Sequence, residues 1–215
     1  MTTPIKIELK CPCCNTKFES RSLMSTTVGF KETDFHPISL GFQALPLYIH
    51  TCTHCGFTGL LGDFEKPKKI SNQLAKRISN EIGPLVRDGL PDGGTRYEFA
   101  ARIAEWQGKD PETIANLYLH AAWCCVDERD MENESIYRLS AIEYFKRALD
   151  EEGCLSDDSR TTVTYLIGEL YRRVGEIELA HEWFNRVISE SDSDEAKQKI
   201  VALAKQQKDN PKNML

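Results

Sequence analysis

No stretch of this sequence approaches the roughly 20 apolar residues that a membrane span needs, so no membrane partner is expected. The opening "MTTPIKIELK" has no apolar core of a secretory leader, which makes the cytoplasm the expected compartment. There is no HExxH string, no glycine-rich phosphate loop and no recognisable nucleophile–base pairing. That argues against catalysis without closing the question, because catalytic groups need not be neighbours in sequence. No catalytic residue is therefore assigned. Positive charge is also scarce where nucleic acid would need it. Residues 97–191 hold 10 basic against 20 acidic side chains, a poor phosphate surface.

What is present is an ordinary globular composition. The 215 residues are 40% hydrophobic and 28% charged, enough for one large or two small domains. Residues 1–66 alternate cysteine pairs with strand-length apolar runs such as "IKIEL" and "LPLYIHT", and read as a small β-rich knuckle domain. Residues 67–96 carry Ile70, Leu74, Ile78, Ile82 and Leu85 on one helical stripe, then Gly83-Pro84 and the linker-like "RDGLPDGGT". Residues 97–191 read as helices throughout. Asp110 before Pro111 and Ser156 in "SDDS" are helix-start signals. Residues 192–215 read as a last polar helix and a fraying tail, "DNPKNML".

The chemistry-bearing motif is Cys11-x-x-Cys14 with Cys52-x-x-Cys55. Two residues between cysteines let both sulfurs face one ion, and zinc takes four such ligands in a tetrahedron. One structural zinc ion is the expected cofactor, with disulfides disfavoured in a reducing compartment. A redox centre is disfavoured too, because neither pair opens a helix in a βαβ setting. Four cysteines would close the site and leave the metal no chemistry. Cys13 is a third thiol inside the first knuckle and a candidate replacement ligand. Cys124 and Cys125 stand adjacent on a helix, where they cannot chelate together, and read as core.

The helical half carries its own pattern. Gly168, Tyr171, Gly175, Ala180 and Phe184 follow the small, aromatic, turn-glycine, small, aromatic order of a tetratricopeptide repeat. In that reading Gly168 meets Ala180 and the two aromatics fill the space between helices. The expected fold is mainly α, a tetratricopeptide-like α-α repeat domain behind a small β-rich zinc knuckle. The strings "CPCC", "DF", "CGF", "LYLHAAW" and "YLIGELYRR" together resemble the bacterial domain-of-unknown-function family 2225 over roughly residues 5–190. The resemblance implies zinc-ribbon-like knuckles joined to tetratricopeptide-like helices, and no activity. A cysteine follows the Asp-Phe pair in that family; here His36 stands there, which makes His36 a further candidate at the metal.

The leading functional expectation is a non-enzymatic, zinc-stabilised module whose helical groove binds a protein or peptide, with a basic or amphipathic segment suggested by the acidic body. The alternative is a thiol- or metal-dependent enzyme using the N-terminal cysteines. A nucleic-acid-binding zinc ribbon stands third.

Overall fold

The computed structural model describes residues 3–189 and 194–215. The expected boundary at 191–192 lies outside the described residues. The chain is mainly helical, with three antiparallel hairpins in its first sixty residues. They are β1 (Pro4–Lys10) with β2 (Lys17–Leu23), β3 (Val28–Lys31) with β4 (Pro37–Ser39), and β5 (Ile49–Thr51) with β6 (Thr58–Leu60). Eight helices come after them among the described residues: α1 (Leu61–Glu65), α2 (Asn72–Glu81), α3 (Gly93–Trp106), α4 (Pro111–Glu128), α5 (Met131–Asp150), α6 (Asp157–Arg173), α7 (Ile177–Ser189) and α8 (Glu195–Asp209). None of them is long and apolar enough to cross a membrane.

Caps set the helix starts. Asp110 accepts from the Thr113 amide at 2.7 Å with Pro111 at the first helical position, and Ser156 accepts from the Ser159 amide at 3.2 Å. Both starts agree with the sequence reading. One other moves. Helix α3 begins at Gly93 rather than Tyr97, because Asp92 accepts from the Thr95 amide at 2.7 Å and caps it there. The first turn of α3 lies directly on the sulfurs of Cys124 and Cys125. Helix α5 starts at Met131: Arg129 alone, at φ 62°, makes the turn from α4, and Asp130 caps the new helix.

The stripe on α2 also needs one correction. Ile78 and Ile82 are fully buried, but Leu85 is exposed. Pro84 sits in a tight 3-10 turn over Gly83–Val86, which swings Leu85 outward and buries Val86 in its place.

Consecutive helices pack on one another through α3, α4, α5, α6 and α7, and α8 lies on α6 and α7. Their shared core runs from Tyr97 through Phe145 and Tyr165 to Phe184. A second core joins the cysteines to Phe57, Phe64, Ile78, Ile82, Phe99 and Ile103. Helix α3 serves both cores.

The turn from α6 to α7 places Gly175 at φ 88°, a conformation glycine adopts without strain. Gly168 is a glycine for space. A Cβ there would stand 2.8 Å from Phe184 Cδ1 and 3.2 Å from Trp183 Cβ. The expected partner Ala180 is buried but is not what Gly168 meets; the close neighbour is the aromatic ring one turn later. Phe184 is fully buried and has no open side to retreat to. Gly168→Leu is therefore expected to destabilise by about 1–3 kcal/mol through overpacking, outweighing a helix-propensity gain of at most about 1 kcal/mol. Urea unfolding checks the sign, and a stabilised variant would mean that the Phe184 ring yields.

The tail does not fray as its composition suggests. Residues 210–215 run back along β3: the Thr33 amide donates to the Asn213 carbonyl at 3.0 Å, and the Leu215 amide donates to Lys31 at 3.0 Å. Gln207 holds the bend, accepting from the Lys212 amide and donating to its carbonyl, each at 2.7 Å.

Candidate metal centre

The two cysteine pairs fold into near copies of one knuckle. In the first, the Cys11 amide donates to Thr16 and the Asn15 amide to Cys11, both at 2.9 Å. In the second, the Cys52 amide donates to Phe57 at 2.9 Å and the Gly56 amide to Cys52 at 2.8 Å. The residue after each pair turns left-handed, Asn15 at φ 62° and Gly56 at φ 85°. Asparagine tolerates that region. Position 56 admits only glycine for a second reason: a Cβ would lie 2.7 Å from the Gly83 amide nitrogen.

The four sulfurs of Cys11, Cys14, Cys52 and Cys55 lie within 4.8 Å of one another. Cys11 and Cys55 sulfurs are 3.6 Å apart, and Cys14 and Cys52 sulfurs 3.7 Å. A tetrahedral ion with bonds of about 2.3 Å would hold its sulfurs about 3.8 Å apart, close to the two shortest of these separations, so the set is compatible with one ion. Without an ion the thiols share their protons unevenly. Hydrogen bonds from Cys11 and Cys55 draw the Cys52 thiol far below its usual range, with the His54 and Cys55 amides also facing it. The same sharing pushes Cys11 and Cys55 up.

The other candidates fall elsewhere. Cys13 is half-buried and outside the group of four, although hydrogen bonding from Cys55 lowers its thiol. His36 is fully buried against the helices: its ring stacks on Trp123 at a centroid distance of 5.3 Å, and its Nε2 lies 3.6 Å from Asp127 Oδ2. It is not among the four clustered ligands. His50 Nδ1 pairs with Ser20 Oγ at 2.8 Å, and His54 is exposed. Cys124 and Cys125 are buried core, where burial pushes both thiols up, Cys125 to about 12.

Sequence reasoning missed a second constellation. The turn between β3 and β4, residues 32–36, inserts its tip into the helical body. There Asp34 accepts from Trp123 Nε1 at 3.0 Å and Arg138 Nη1 at 2.8 Å, with Arg173 Nη2 at 3.5 Å. Asp34 and Arg138 are both fully buried. Glu169, fully buried as well, accepts from Thr33, Arg172, Arg173 and Gln207. Burial alone would raise the Asp34 carboxyl, but Arg138 and Arg173 overcome it and hold the group below its ordinary value. The available signal was the spacing of His120, Trp123 and Asp127, which share one face of α4. It shows which face is polar but not what the face meets.

No curated protein and no solved structure matches this chain. A family model described as "Uncharacterized protein conserved in bacteria (DUF2225)" matches residues 5–211.

Proposed function

The chain belongs to the DUF2225 family of bacterial proteins, and on that premise we propose that it is a zinc-stabilised, non-enzymatic protein-binding module. The observation that carries this is the closed set of four sulfurs within 4.8 Å. Soft thiolates in a tetrahedral set suit zinc over hard cations, and a four-thiolate shell leaves no position open for substrate. When bound, the metal would supply folding energy rather than reactivity.

The binding half of the proposal rests on the helices. The small and aromatic positions Gly168, Tyr171, Gly175, Ala180 and Phe184 fit a tetratricopeptide-like hairpin of α6 and α7. Stacked hairpins leave grooves that take peptide segments. A groove of about 360 Å³ runs between α5, α6 and α7. Lys146, Arg160 and Arg186 line it with Asp150 as the lone acid, and Arg186 lies over the Trp183 ring at 4.2 Å. The local charge is opposite to that of the acidic body. The occupant that fits is an acidic protein segment with an apolar anchor, rather than the basic segment suggested by net charge.

The test has two parts. Elemental analysis of freshly reduced protein should find about one zinc per chain, and its absence would defeat the metal assignment. An array of acidic peptides, each carrying one aromatic residue, should contain sequences retained by the protein. Retention should fall about tenfold in Arg160→Glu/Arg186→Glu and weaken with salt. Equal retention by that variant, or no peptide held above background, would defeat the groove.

A further inference from the structure

A second cavity, of about 220 Å³, lies where β6 and α1 meet α3 and α4. Phe57, Ile103 and Leu117 give it apolar walls, and Thr58, Gln107, Thr113 and Asn116 line it as well. The titratable groups on its lining are His120, Asp63 and Lys109. His120 lines the space, and its Nδ1 is wholly buried with no protein hydrogen-bond partner. Toward the surface Lys109 Nζ and Asp63 Oδ1 form an ion pair at 3.2 Å, their side chains 29% and 34% exposed.

This graded arrangement selects a ligand. An apolar cavity of about 150 Å³ already admits a benzene ring, so this one takes a ring with a substituent. Burial pushes the His120 imidazole down to about 4, leaving it neutral near pH 7. A neutral hydrogen-bonding group matches it, whereas a charge would be stranded at that depth. The outer pair offers one cation and one anion side by side, which a zwitterion can meet with both of its charges.

We propose that this cavity binds a single-ring aromatic amino acid carrying a polar ring substituent. The ring lies between Phe57, Ile103 and Leu117, and the substituent hydrogen-bonds to His120. The α-carboxylate faces Lys109 and the α-ammonium faces Asp63. The cavity contains none of the four cysteines, although Phe57 and Ile103 belong to their core, and it shares no lining residue with the groove of α5–α7.

The probes are L-tyrosine, L-phenylalanine and tyramine, titrated into the full chain and followed by 15N-resolved NMR. L-tyrosine should bind saturably, with shifts centred on residues 57–63 and 100–120. L-phenylalanine lacks the ring hydroxyl and tyramine the carboxylate, and each should bind about tenfold more weakly. His120→Phe should bring the affinity for L-tyrosine down to that for L-phenylalanine and leave the latter unchanged. Lys109→Gln should remove the advantage of L-tyrosine over tyramine. Both variants thus retain binding of a probe, which distinguishes a lost contact from a lost fold. The proposal is overturned if L-tyrosine does not saturate up to its solubility, if the shifts centre elsewhere, or if the three probes bind alike.

Discussion

Cys52→Ser is expected to release the metal and unfold the knuckle region while the helices α6 and α7 persist. Structural zinc contributes roughly 10–16 kcal/mol of apparent binding energy in small modules, against a typical domain stability of about 5–15 kcal/mol. Cys52 is fully buried, shares its core with Phe57, Phe64, Ile78 and Ile82, and its sulfur lies 3.7 Å from that of Cys14. A serine there offers a poor ligand and a buried hydroxyl. Loss of order should therefore extend beyond the hairpins β1–β2 and β5–β6 into α2. It should stop short of residues 32–36, whose side chains are held by the helices. Hydrogen exchange alongside metal analysis reads both outcomes. Cys13→Ser, treated identically, should keep its metal and its protection; release of metal from that variant would make Cys13 a ligand and exclude one of the four. A Cys52→Ser protein that retained full protection without metal would separate the cysteines from folding altogether.

Asp34→Asn should be the second severe lesion, at about 3–5 kcal/mol, because it strands Arg138, which is fully buried and loses its partner at 2.8 Å. Glu134 remains on the Arg138 Nε at 2.8 Å, but Nη1 then faces a neutral amide and Nη2 has no protein partner already. The pH dependence distinguishes a charge effect from a packing effect. The folded Asp34 carboxyl titrates below its ordinary 3.8. Its stabilisation is then complete above that ordinary value and is lost as pH falls through the lower, folded value. The gap between wild type and Asp34→Asn should be widest near neutrality and shrink below about pH 4. Urea unfolding at several pH values checks this. A gap that stays constant into acid would assign the loss to packing.

The cysteine site was legible because its information is local. Each knuckle is specified within a few residues, by Cys-x-x-Cys and the left-handed residue after it. Two such knuckles fit one ion whatever fills the residues between them. Helix starts with a capping side chain and proline, as at Asp110 and Ser156, were equally local. What escaped was set by contacts between distant segments. Leu85 lay on the apolar stripe, yet a tight turn at Pro84 rotated it out. Gly168 was recognisable as a position needing space, but its neighbour Phe184 depends on how α7 rolls against α6. Asp34 sat in a two-residue string with no periodicity to mark it as buried. Its partners Arg138 and Arg173 lie on helices, where no local pattern separates a buried charge from a solvated one. Polar burial leaves almost no trace in a sequence, because the same residue types serve the surface.

The pairing of residues 210–215 with β3 has a consequence for the order in which the protein can be completed. Thr33 Oγ1 donates to the Lys212 carbonyl across 179 residues. During synthesis at about 5–20 residues per second, the turn bearing Asp34 waits roughly ten to forty seconds for those partners. All four cysteines precede β6 and emerge early, while the core around them is completed by Ile78, Ile82, Phe99 and Ile103. The nascent chain thus carries both the cysteine pairs and the acidic turn well before the tail that pairs with the turn exists. Interrupting translation shortly before Gln207 would leave chains whose turn still has Trp123, Arg138 and Arg173 for Asp34 but lacks its pairing with residues 210–215.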